Sequence, residues 1–327
     1  METGVNKMTD LSVVIPVYNE KDSLPELYRQ LKETLEPKGY RFELIFIDDG
    51  SRDGSSEVLE SLAQNDPRVR VIQFQKNYGK SAALSVGFEV AEGKFVATLD
   101  ADLQDDPREI PPMIEKLNEG YDLISGWKKK RHDPVSKRWP SKIFNWVTSR
   151  IAGVHIHDIN CGLKVYRNFV VKTLHPYGEL HRFLPVLAHL DGFTVGEKEV
   201  VHHPRKYGKS KFGASRFTAG FFDLLTVMFL SRYLRKPLHL FGILGILSFI
   251  GGFAIGAYLT VLRLSGHWIG NRPLLFLGIL LMIMGVQFIS IGLLGEMITA
   301  SQTRKEAYVI RRTLNLNRHR TLSLRAE

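Results

Sequence analysis

The sequence predicts an α/β domain built on a mostly parallel sheet, followed by interfacial helices and a two-helix membrane hairpin. Two observations carry this prediction. Apolar β-branched runs alternate with helical patterns in the first part of the chain, and two long uncharged runs follow, with basic residues on either side of the pair. With 327 residues, of which 24% are charged and 44% hydrophobic, the chain is a folded protein rather than a disordered or fibrous one.

Four apolar runs are interpreted as strands: Leu11–Val17, Phe42–Ile47, Val69–Phe74 and Phe95–Leu99. Each run is followed by a turn and a helical pattern, and the first helix is predicted to start with a capping box and a proline at Ser23–Glu26. Strands that alternate with helices predict a doubly wound sheet. In such a sheet, the ligand lies beyond the carboxyl ends of the strands.

Polar residues do gather at those strand ends, in Pro16–Glu20, Asp48–Ser51, Asn77–Lys80 and Asp100–Gln104. The dinucleotide-binding motif GxGxxG is absent after the first strand. Two GKS triplets, at Gly79–Ser81 and Gly208–Ser210, lack the first glycine of a phosphate-binding P-loop, because Phe74 and His203 stand at that position. Both of these nucleotide folds are therefore excluded.

Asp100 and Asp102 form a DxD motif. On an extended segment, carboxylates two residues apart project to the same side, and Gln104 adds a third oxygen there. Such hard ligands suit Mg²⁺ or Mn²⁺ bridged to a diphosphate. A surface turn is the alternative, but a buried strand end near Asp48 favours the metal site. Lys80 is interpreted as a phosphate ligand, with a solvated helix-start lysine as the alternative.

Two uncharged runs, Leu238–Leu262 and Pro273–Gly295, are interpreted as membrane-spanning helices. The first would be roughly 37 Å long at about 1.5 Å per residue, enough to cross a hydrocarbon core of about 30 Å. Buried helices of a soluble core are the disfavoured alternative. The positive-inside rule places the N-terminal part and the Arg-rich tail in the cytoplasm. The aromatic-rich segment Phe217–Leu234 is predicted to lie at the interface.

The predicted organisation is therefore a cytoplasmic α/β domain over residues 1–213, interfacial helices over 214–236, a hairpin over 237–300 and a basic cytoplasmic tail over 301–327. The protein is expected to be anchored in the inner membrane by the hairpin, with both termini in the cytoplasm. The net charge of +10 lies largely beside the apolar runs, which favours phosphate headgroups over nucleic acid as partners. A single cysteine, Cys161, excludes an intramolecular disulfide framework. The spacing of His155 and His157 would suit zinc, but the sequence places no third ligand, so structural histidines are preferred.

Several segments together resemble a known family. The sequences VVIPVYNE, IDDGSRDGS, NYGKSAALSVGF and LDADLQDDP resemble the nucleotide-sugar-binding half of the GT-A fold, family 2 glycosyltransferases. Further on, DINCGLKVYR (Asp158–Arg167) and RKYGKSKFG (Arg205–Gly213) resemble the branch with dolichol-phosphate mannose synthase and the bactoprenol (undecaprenyl-phosphate) glucosyltransferases. The resemblance extends over roughly residues 9 to 305 and is specific for the family, but it says little about the sugar.

The resemblance implies roles for individual residues. Those at the nucleotide sugar would be Pro16, Tyr18, Glu20, Asp48, Lys80 and Asp100. Asp100, Asp102 and Gln104 would hold Mg²⁺ or Mn²⁺, and Asp102 and Asp158 would be catalytic. Residues for the acceptor phosphate would be Lys128, Arg131, Arg138, Arg205, Ser210 and Lys211. One departure is that Trp127 and Lys128 follow Gly126, where relatives often carry arginine, which leaves the acceptor cation open.

The implied reaction is an inverting, metal-dependent transfer of a hexose to polyprenyl (undecaprenyl) phosphate, with UDP-glucose as the favoured donor. The acceptor phosphate is already a nucleophile, so Asp158 is interpreted as an orienting group in preference to an obligatory base. GDP-mannose and a UDP-linked modified arabinose are the alternative donors. A non-catalytic nucleotide-sugar-binding membrane protein is the alternative class.

A processive synthase is disfavoured because no QxxRW motif follows the DxD: the next glutamine after Gln104 is Gln287, inside the second apolar run. The short hairpin offers little surface for moving a sugar headgroup, so a separate flippase is expected. Membrane anchors of this kind often pack together. A homo-oligomer is therefore expected, with a tetramer as one candidate.

Overall fold

The computed structural model describes residues 9–129, 149, 153–154, 156–174, 176, 178, 180–204, 206–207, 237–268, 273–301 and 310–314. The chain forms two compact units. The first contains Met1–Leu224 together with Glu306–Glu327, and the second contains Leu225–Lys305.

The first unit is built on a mixed sheet. Its described strands are β1 (Leu11–Val17), β2 (Phe42–Asp48), β3 (Val69–Phe74), β4 (Phe95–Thr98), β5 (Leu123–Trp127), β6 (Lys164–Arg167), β7 (Val195–Glu199) and β8 (Ile310–Leu314). The strand order is β7-β5-β6-β4-β1-β2-β3-β8. The four central strands β3, β2, β1 and β4 are parallel, whereas β6 runs antiparallel to both of its neighbours and β8 runs antiparallel to β3. The predicted mostly parallel sheet is confirmed.

Helices cover both faces of this sheet, as the doubly wound prediction requires. They are α1 (Leu24–Leu35), α2 (Ser55–Asn65), α3 (Lys80–Val90), α4 (Ile110–Leu117), α5 (Asn168–Thr173) and α6 (Leu184–Leu190), with 3₁₀ turns at Pro107–Glu109 and Leu180–Phe183. One apolar core lies between the sheet and α1, α2 and α4. The other lies between the sheet and α3, α5 and α6.

The four predicted strands are found within one residue of their expected bounds, but the capping box is wrong. Ser23 precedes α1 with its backbone already helical, and its hydroxyl donates to the carbonyl oxygen of Glu20 at 2.9 Å. The reason is a turn before the helix, in which the Ser23 and Leu24 amides also donate to that carbonyl. Glu26 binds the Lys206 ammonium instead of the N-cap amide.

The second unit contains α7 (Pro237–Leu264) and α8 (Pro273–Ser301). Both helices are long and apolar enough to cross a membrane. They approach closely at glycines: a Cβ on Gly252 would lie 2.5 Å from the Gly278 carbonyl oxygen, and one on Gly245 would lie 2.7 Å from that of Gly285. Small residues at such points let two helix backbones pack tightly, which is typical of membrane helices. The predicted interfacial segment 214–236 lies outside the described residues.

Candidate active site

The carboxyl ends of β1, β2 and β4 lie side by side, because β1 pairs in parallel with both other strands. Pro16 lies beside Ile47, and Val17 lies beside Asp48. The residues that follow these strands therefore share one edge of the sheet, as the sequence predicts. This edge is the candidate active site.

The loops after β1 and β2 are tied to each other. The Asn19 amide donates to Ser51 Oγ at 2.9 Å, and Asn19 Oδ1 accepts from the Arg52 amide at 2.8 Å. The Glu20 amide donates to Ser55 Oγ at 3.0 Å. This network places Tyr18 at the edge with its ring exposed, in a position to contact a planar ligand.

Asp48 is buried at the end of β2. Its Oδ1 accepts from the Ser51 amide at 3.0 Å, and its Oδ2 accepts from Ser56 Oγ at 2.5 Å. A carboxylate offers about four acceptor positions, so these two bonds leave acceptor capacity. Asp48 also borders a cavity of about 120 Å³ between the β2 and β3 ends.

Asp49 has a structural role that the sequence reasoning missed. Its two carboxylate oxygens accept from the Tyr78 amide at 2.6 Å and the Gly79 amide at 2.9 Å. Burial, together with the charge of Asp48, raises the pKa of Asp49. The second aspartate of the pair therefore holds the loop that leads into α3 and Lys80. The sequence feature that could have indicated this role is the pair of consecutive aspartates, Asp48 and Asp49.

The DxD motif does not lie on an extended segment, which corrects the geometry predicted for it. β4 ends at Thr98, and residues 101–103 form a turn in which Leu103 has a φ of 62°. The left-handed φ of Leu103 breaks the extended path, so the alternation expected of a strand does not continue through the motif. Ala101 and Leu103 are buried in the apolar core, whereas the Asp100 side chain keeps 34% exposure. Asp102 Oδ1 accepts from the Gln104 amide at 3.2 Å.

Lys80 and Asp100 form an ion pair between the start of α3 and the end of β4. Both side chains are about one-third exposed, and both border a narrow cavity at this edge. The structure thus brings together the predicted phosphate lysine and the first aspartate of the DxD motif. A lysine in this position can bind a phosphate when the aspartate takes another cation.

A second, buried ion pair lies behind the motif. Lys128 Nζ lies 2.8 Å from Asp105 Oδ1, and His202 Nδ1 lies 3.7 Å from the same oxygen. Burial alone would raise the pKa of Asp105, but Lys128 and His202 outweigh it and hold that pKa below its ordinary value. Burial works to lower the pKa of Lys128, but the charge of Asp105 outweighs this and raises it. Lys128, predicted at the acceptor phosphate, is therefore in contact with Asp105.

Gly162 packs directly against these acids. A Cβ at this position would lie 2.6 Å from Asp100 Oδ2 and 2.8 Å from Asp105 Oδ2. Its carbonyl oxygen accepts from Thr98 Oγ1 at 2.9 Å. The glycine is needed because the chain before β6 passes too close to the carboxylates for any side chain.

Two basic residues that were not predicted border the narrow cavity: Lys164, which is buried, and His181, which is half-buried. Lys164 begins β6 and donates to the Cys161 carbonyl oxygen. Burial is the main reason that the pKa of Lys164 falls to about 8. His181 Nδ1 lies 3.1 Å from Ser81 Oγ, and burial, with Lys80 nearby, lowers the pKa of His181 to about 2. The sequence feature that could have indicated Lys164 is a lysine at the start of the short strand Lys164–Arg167.

Asp158 is buried on the loop before β6. Its Oδ1 accepts from the Asn160 amide at 3.3 Å, and its own amide donates to Glu197 Oε1 at 2.9 Å. Glu197 also contacts His157 Nδ1 at 2.9 Å, and the His157 ring stacks on Trp127 with centroids 4.3 Å apart. His157 therefore contacts protein groups, and the sequence analysis had preferred a structural role for it over zinc binding. His155 lies outside the described residues.

Among the residues that the structure describes, no three His, Cys, Asp or Glu side chains are grouped as a metal-binding cluster. Asp100 and Asp102 are the residues that could hold a divalent ion. Two carboxylates are what Mg²⁺ commonly takes from a protein when substrate phosphates and water supply its other ligands. The donor set therefore fits such an ion.

Five residues predicted at the acceptor phosphate lie outside the described residues: Arg131, Arg138, Arg205, Ser210 and Lys211. Of that predicted group, Lys128 is the member whose surroundings the structure gives. Pro16 and Lys80 border the narrow cavity, and Asp48 borders the larger one. Glu20 lies in the loop after β1.

Comparison with known proteins places the chain among sugar transferases. Residues 12–174 match the model of a family described as glycosyl transferase family 2. A dodecaprenyl-phosphate galacturonate synthase from Rhizobium johnstonii is 37% identical over 316 residues, which cover 92% of each chain. An undecaprenyl-phosphate 4-deoxy-4-formamido-L-arabinose transferase from Pseudomonas paraeruginosa is 40% identical over 289 residues, covering 88% of this chain and 84% of the relative.

Solved structures show the same fold. A glucosyl-3-phosphoglycerate synthase from Mycobacterium tuberculosis, crystallised with Mn²⁺ and UDP-glucose, has a TM-score of 0.51 and 17% sequence identity. The match covers 68% of this chain and 79% of that chain. The first unit therefore has the GT-A fold that the resemblance implied.

Proposed function

This chain belongs to glycosyl transferase family 2, and we propose that it transfers a sugar from a nucleoside diphosphate to the phosphate of a polyprenyl lipid. The observation that carries the proposal is the edge where Asp48, Lys80, Asp100 and Asp102 follow adjacent strands. The polyprenyl acceptors named for two relatives, each aligned over most of this chain, support the lipid substrate. The two apolar helices would keep the enzyme at the membrane where that lipid lies.

The proposed reaction is a single displacement. An acceptor phosphate oxygen attacks the anomeric carbon, the bond from that carbon to the diphosphate breaks, and the nucleoside diphosphate leaves with the electron pair. The attacking oxygen is already anionic, so positioning and charge stabilisation are the main requirements. Asp158 is buried, and its backbone amide donates to Glu197. Its side chain would orient the sugar or the acceptor.

Asp100 and Asp102, with Gln104 as a further candidate, would hold Mg²⁺ or Mn²⁺ at the diphosphate. A bound ion of this kind neutralises charge on the leaving diphosphate. Lys80 would add a second cation there once its ion pair with Asp100 opens. The Mn²⁺ in a structural neighbour supports a divalent ion for this fold.

For the donor sugar, we favour a UDP-linked modified arabinose over the glucose that the sequence alone suggested. The support is the names of the relatives, which specify 4-deoxy-4-formamido-L-arabinose and galacturonate. Galacturonate is the second candidate. The test is to supply the full-length protein in detergent with undecaprenyl phosphate and each UDP-sugar separately, UDP-glucose included. Mass spectrometry then identifies the lipid product. A product from UDP-glucose alone would overturn the donor assignment.

We place the N-terminal domain and the C-terminal tail on the same, cytoplasmic side of the inner membrane. The support is that β8, which follows the second apolar helix, hydrogen-bonds to β3 of the N-terminal sheet. The chain leaves the N-terminal domain before the two helices and returns to the same domain at β8. It must therefore cross the membrane an even number of times. The basic residues around the pair of helices favour the cytoplasmic side.

This topology can be tested with single cysteines, because the native Cys161 is buried and gives little background. His267→Cys, between the two helices, would react with an impermeant maleimide in intact cells. Gly39→Cys, in the exposed turn after α1, would react only after permeabilisation. The opposite pattern would reverse the orientation. A homo-oligomer of these hairpins and a separate flippase remain part of the proposal.

A further inference from the structure

Gln73 carries a buried amide whose nitrogen donates no hydrogen bond to the residues that the structure describes. It lies near the end of β3, the residue is 6% exposed, and Nε2 has no hydrogen-bond partner within the described part of the chain. Val69 and Val71 occupy the same face of this strand and belong to the apolar core. An apolar residue could therefore occupy position 73, where an unsatisfied buried amide costs about 1–3 kcal/mol. This cost is explained if the amide binds a ligand.

Gln73 is one of the residues that line the cavity of about 120 Å³ at the candidate active site. The polar walls of this cavity include Asp48, Ser51, Arg52, Ser56, Gln73 and Gln75. Gln73 lies directly opposite Asp48 in the register of the parallel strands β2 and β3. Adjacent strands are about 4.8 Å apart. An amide donor and a carboxylate acceptor therefore stand side by side on one wall.

We infer that Gln73 completes the nucleobase subsite at Asp48, which the family resemblance already implies at the nucleotide: Gln73 donates to a ring carbonyl of the base, beside the ring N–H from which Asp48 would accept. Asp48 retains the acceptor capacity for this bond beside those from Ser51 and Ser56. The inference rests on the proposed function, because it takes a nucleoside diphosphate sugar as the donor.

Gln73 and Asp48 discriminate among nucleobases by the hydrogen-bond donors and acceptors that each base presents. Uracil and guanine each present a carbonyl next to a ring N–H. On the side of the ring that carries O4 in uracil and O6 in guanine, cytosine presents an amino group next to an unprotonated ring nitrogen, so Gln73 Nε2 on that side would face a second donor and Asp48 a second acceptor. A mismatch of this kind in a buried site costs about tenfold or more in affinity. Gln73 is thus a specificity-determining residue.

The test is calorimetric binding of UDP, GDP and CDP to the full-length protein in detergent with MnCl₂. The wild-type protein is expected to bind UDP or GDP, and which of the two it prefers identifies the base. Gln73→Leu should weaken that binding about tenfold, while the melting temperature stays the same or rises because an unsatisfied amide has been removed. Gln64→Leu makes the same change at an exposed position of α2 and should bind as the wild type does.

Gln73→Glu is a second variant, in which a carboxylate would face the base carbonyl and repel Asp48. It should bind UDP or GDP more weakly than Gln73→Leu does. Equal affinity of the wild type and both variants would overturn the role of Gln73 while leaving the proposed function standing. A wild-type protein that binds none of the three nucleotides would overturn the proposed function and this inference with it.

Discussion

Lys128 Nζ lies 2.8 Å from Asp105 Oδ1 behind the DxD motif, where Asp105 is buried and the Lys128 side chain keeps 13% exposure. Removing one partner of a buried pair leaves an uncompensated charge and costs about 3–5 kcal/mol. We predict that Lys128→Met lowers the stability by this amount, measured by denaturant unfolding in detergent.

The neighbouring residue provides the matched control. Lys129 Nζ lies 2.6 Å from Glu199 Oε1, but both side chains are more than half exposed, so Lys129→Met should cost less than about 1 kcal/mol. If Lys128→Met leaves stability unchanged and instead raises the KM for polyprenyl phosphate, Lys128 belongs to the acceptor site and the buried-pair interpretation is wrong.

The glycine contacts between α7 and α8 predict a position-specific effect on the hairpin. A Cβ on Gly252 would lie 2.5 Å from the Gly278 carbonyl oxygen, whereas no atom of the described residues lies within 4 Å of one on the adjacent Gly251. Gly252→Ala should therefore push the helices apart and lower the melting temperature in detergent. Gly251→Ala should leave it unchanged. Equal effects of the two changes would contradict this helix packing.

The close packing of Gly162 against Asp100 and Asp105 predicts that a larger residue at this position weakens metal binding. Gly162→Ala would push a methyl group against Asp100 and Asp105, so the carboxylates must shift. We expect at least tenfold weaker Mn²⁺ binding, measured by the electron paramagnetic resonance signal of free Mn²⁺ in titrations with UDP present. Gly256→Ala is the control, because a Cβ there would meet no atom within 4 Å in the part of the chain that the structure describes. Unchanged Mn²⁺ affinity in Gly162→Ala would remove Asp100 from the metal site.

Lys164 predicts a pH dependence of stability. Its pKa is about 8 in the folded protein, against an ordinary value of 10.5, because burial disfavours the charged form. Between these two values the unfolded state binds more protons than the folded state, so the stability contributed by this group rises with pH. The total rise is about 3 kcal/mol.

The measurement is the free energy of unfolding of the wild type and of Lys164→Met from pH 7 to 10.5. The difference between the two proteins isolates this lysine, and Lys38→Met, at an exposed position, controls for the loss of a charge. Parallel pH curves for the wild type and Lys164→Met would show that the pKa of Lys164 is not lowered.

The sequence predicted the strands and the site edge well, because both depend on local patterns. The bounds of β1 and β3 follow from the apolar runs alone, and Asp48 and Asp100 follow from their positions after strands. The turn at Leu103 was missed, because it depends on a left-handed φ, which is uncommon for a residue other than glycine and which the local pattern does not indicate.

Contacts between distant residues explain the other differences. The pairing of Lys128 with Asp105 joins two loops that the sequence gives no reason to connect, so Lys128 looked like a free cation. The antiparallel β8 joins the sheet from beyond the second apolar helix, and its pattern was hidden in a basic tail. Sequence patterns predict which residues face the core, but they do not predict which charged residue, distant along the chain, forms an ion pair with a given side chain.

The most direct test of the central claim is sugar transfer to undecaprenyl phosphate by the purified full-length protein. The protein in detergent is incubated with Mg²⁺ or Mn²⁺ and the panel of UDP-sugars, and the lipid is identified by mass spectrometry. We predict a lipid-phosphosugar that is lost with EDTA and reduced at least a hundredfold in Asp102→Asn, but retained in Asp191→Asn, at an exposed position. GDP-mannose is supplied in parallel. No lipid product from any of these nucleotide sugars, or full activity in Asp102→Asn, would contradict the proposed enzyme.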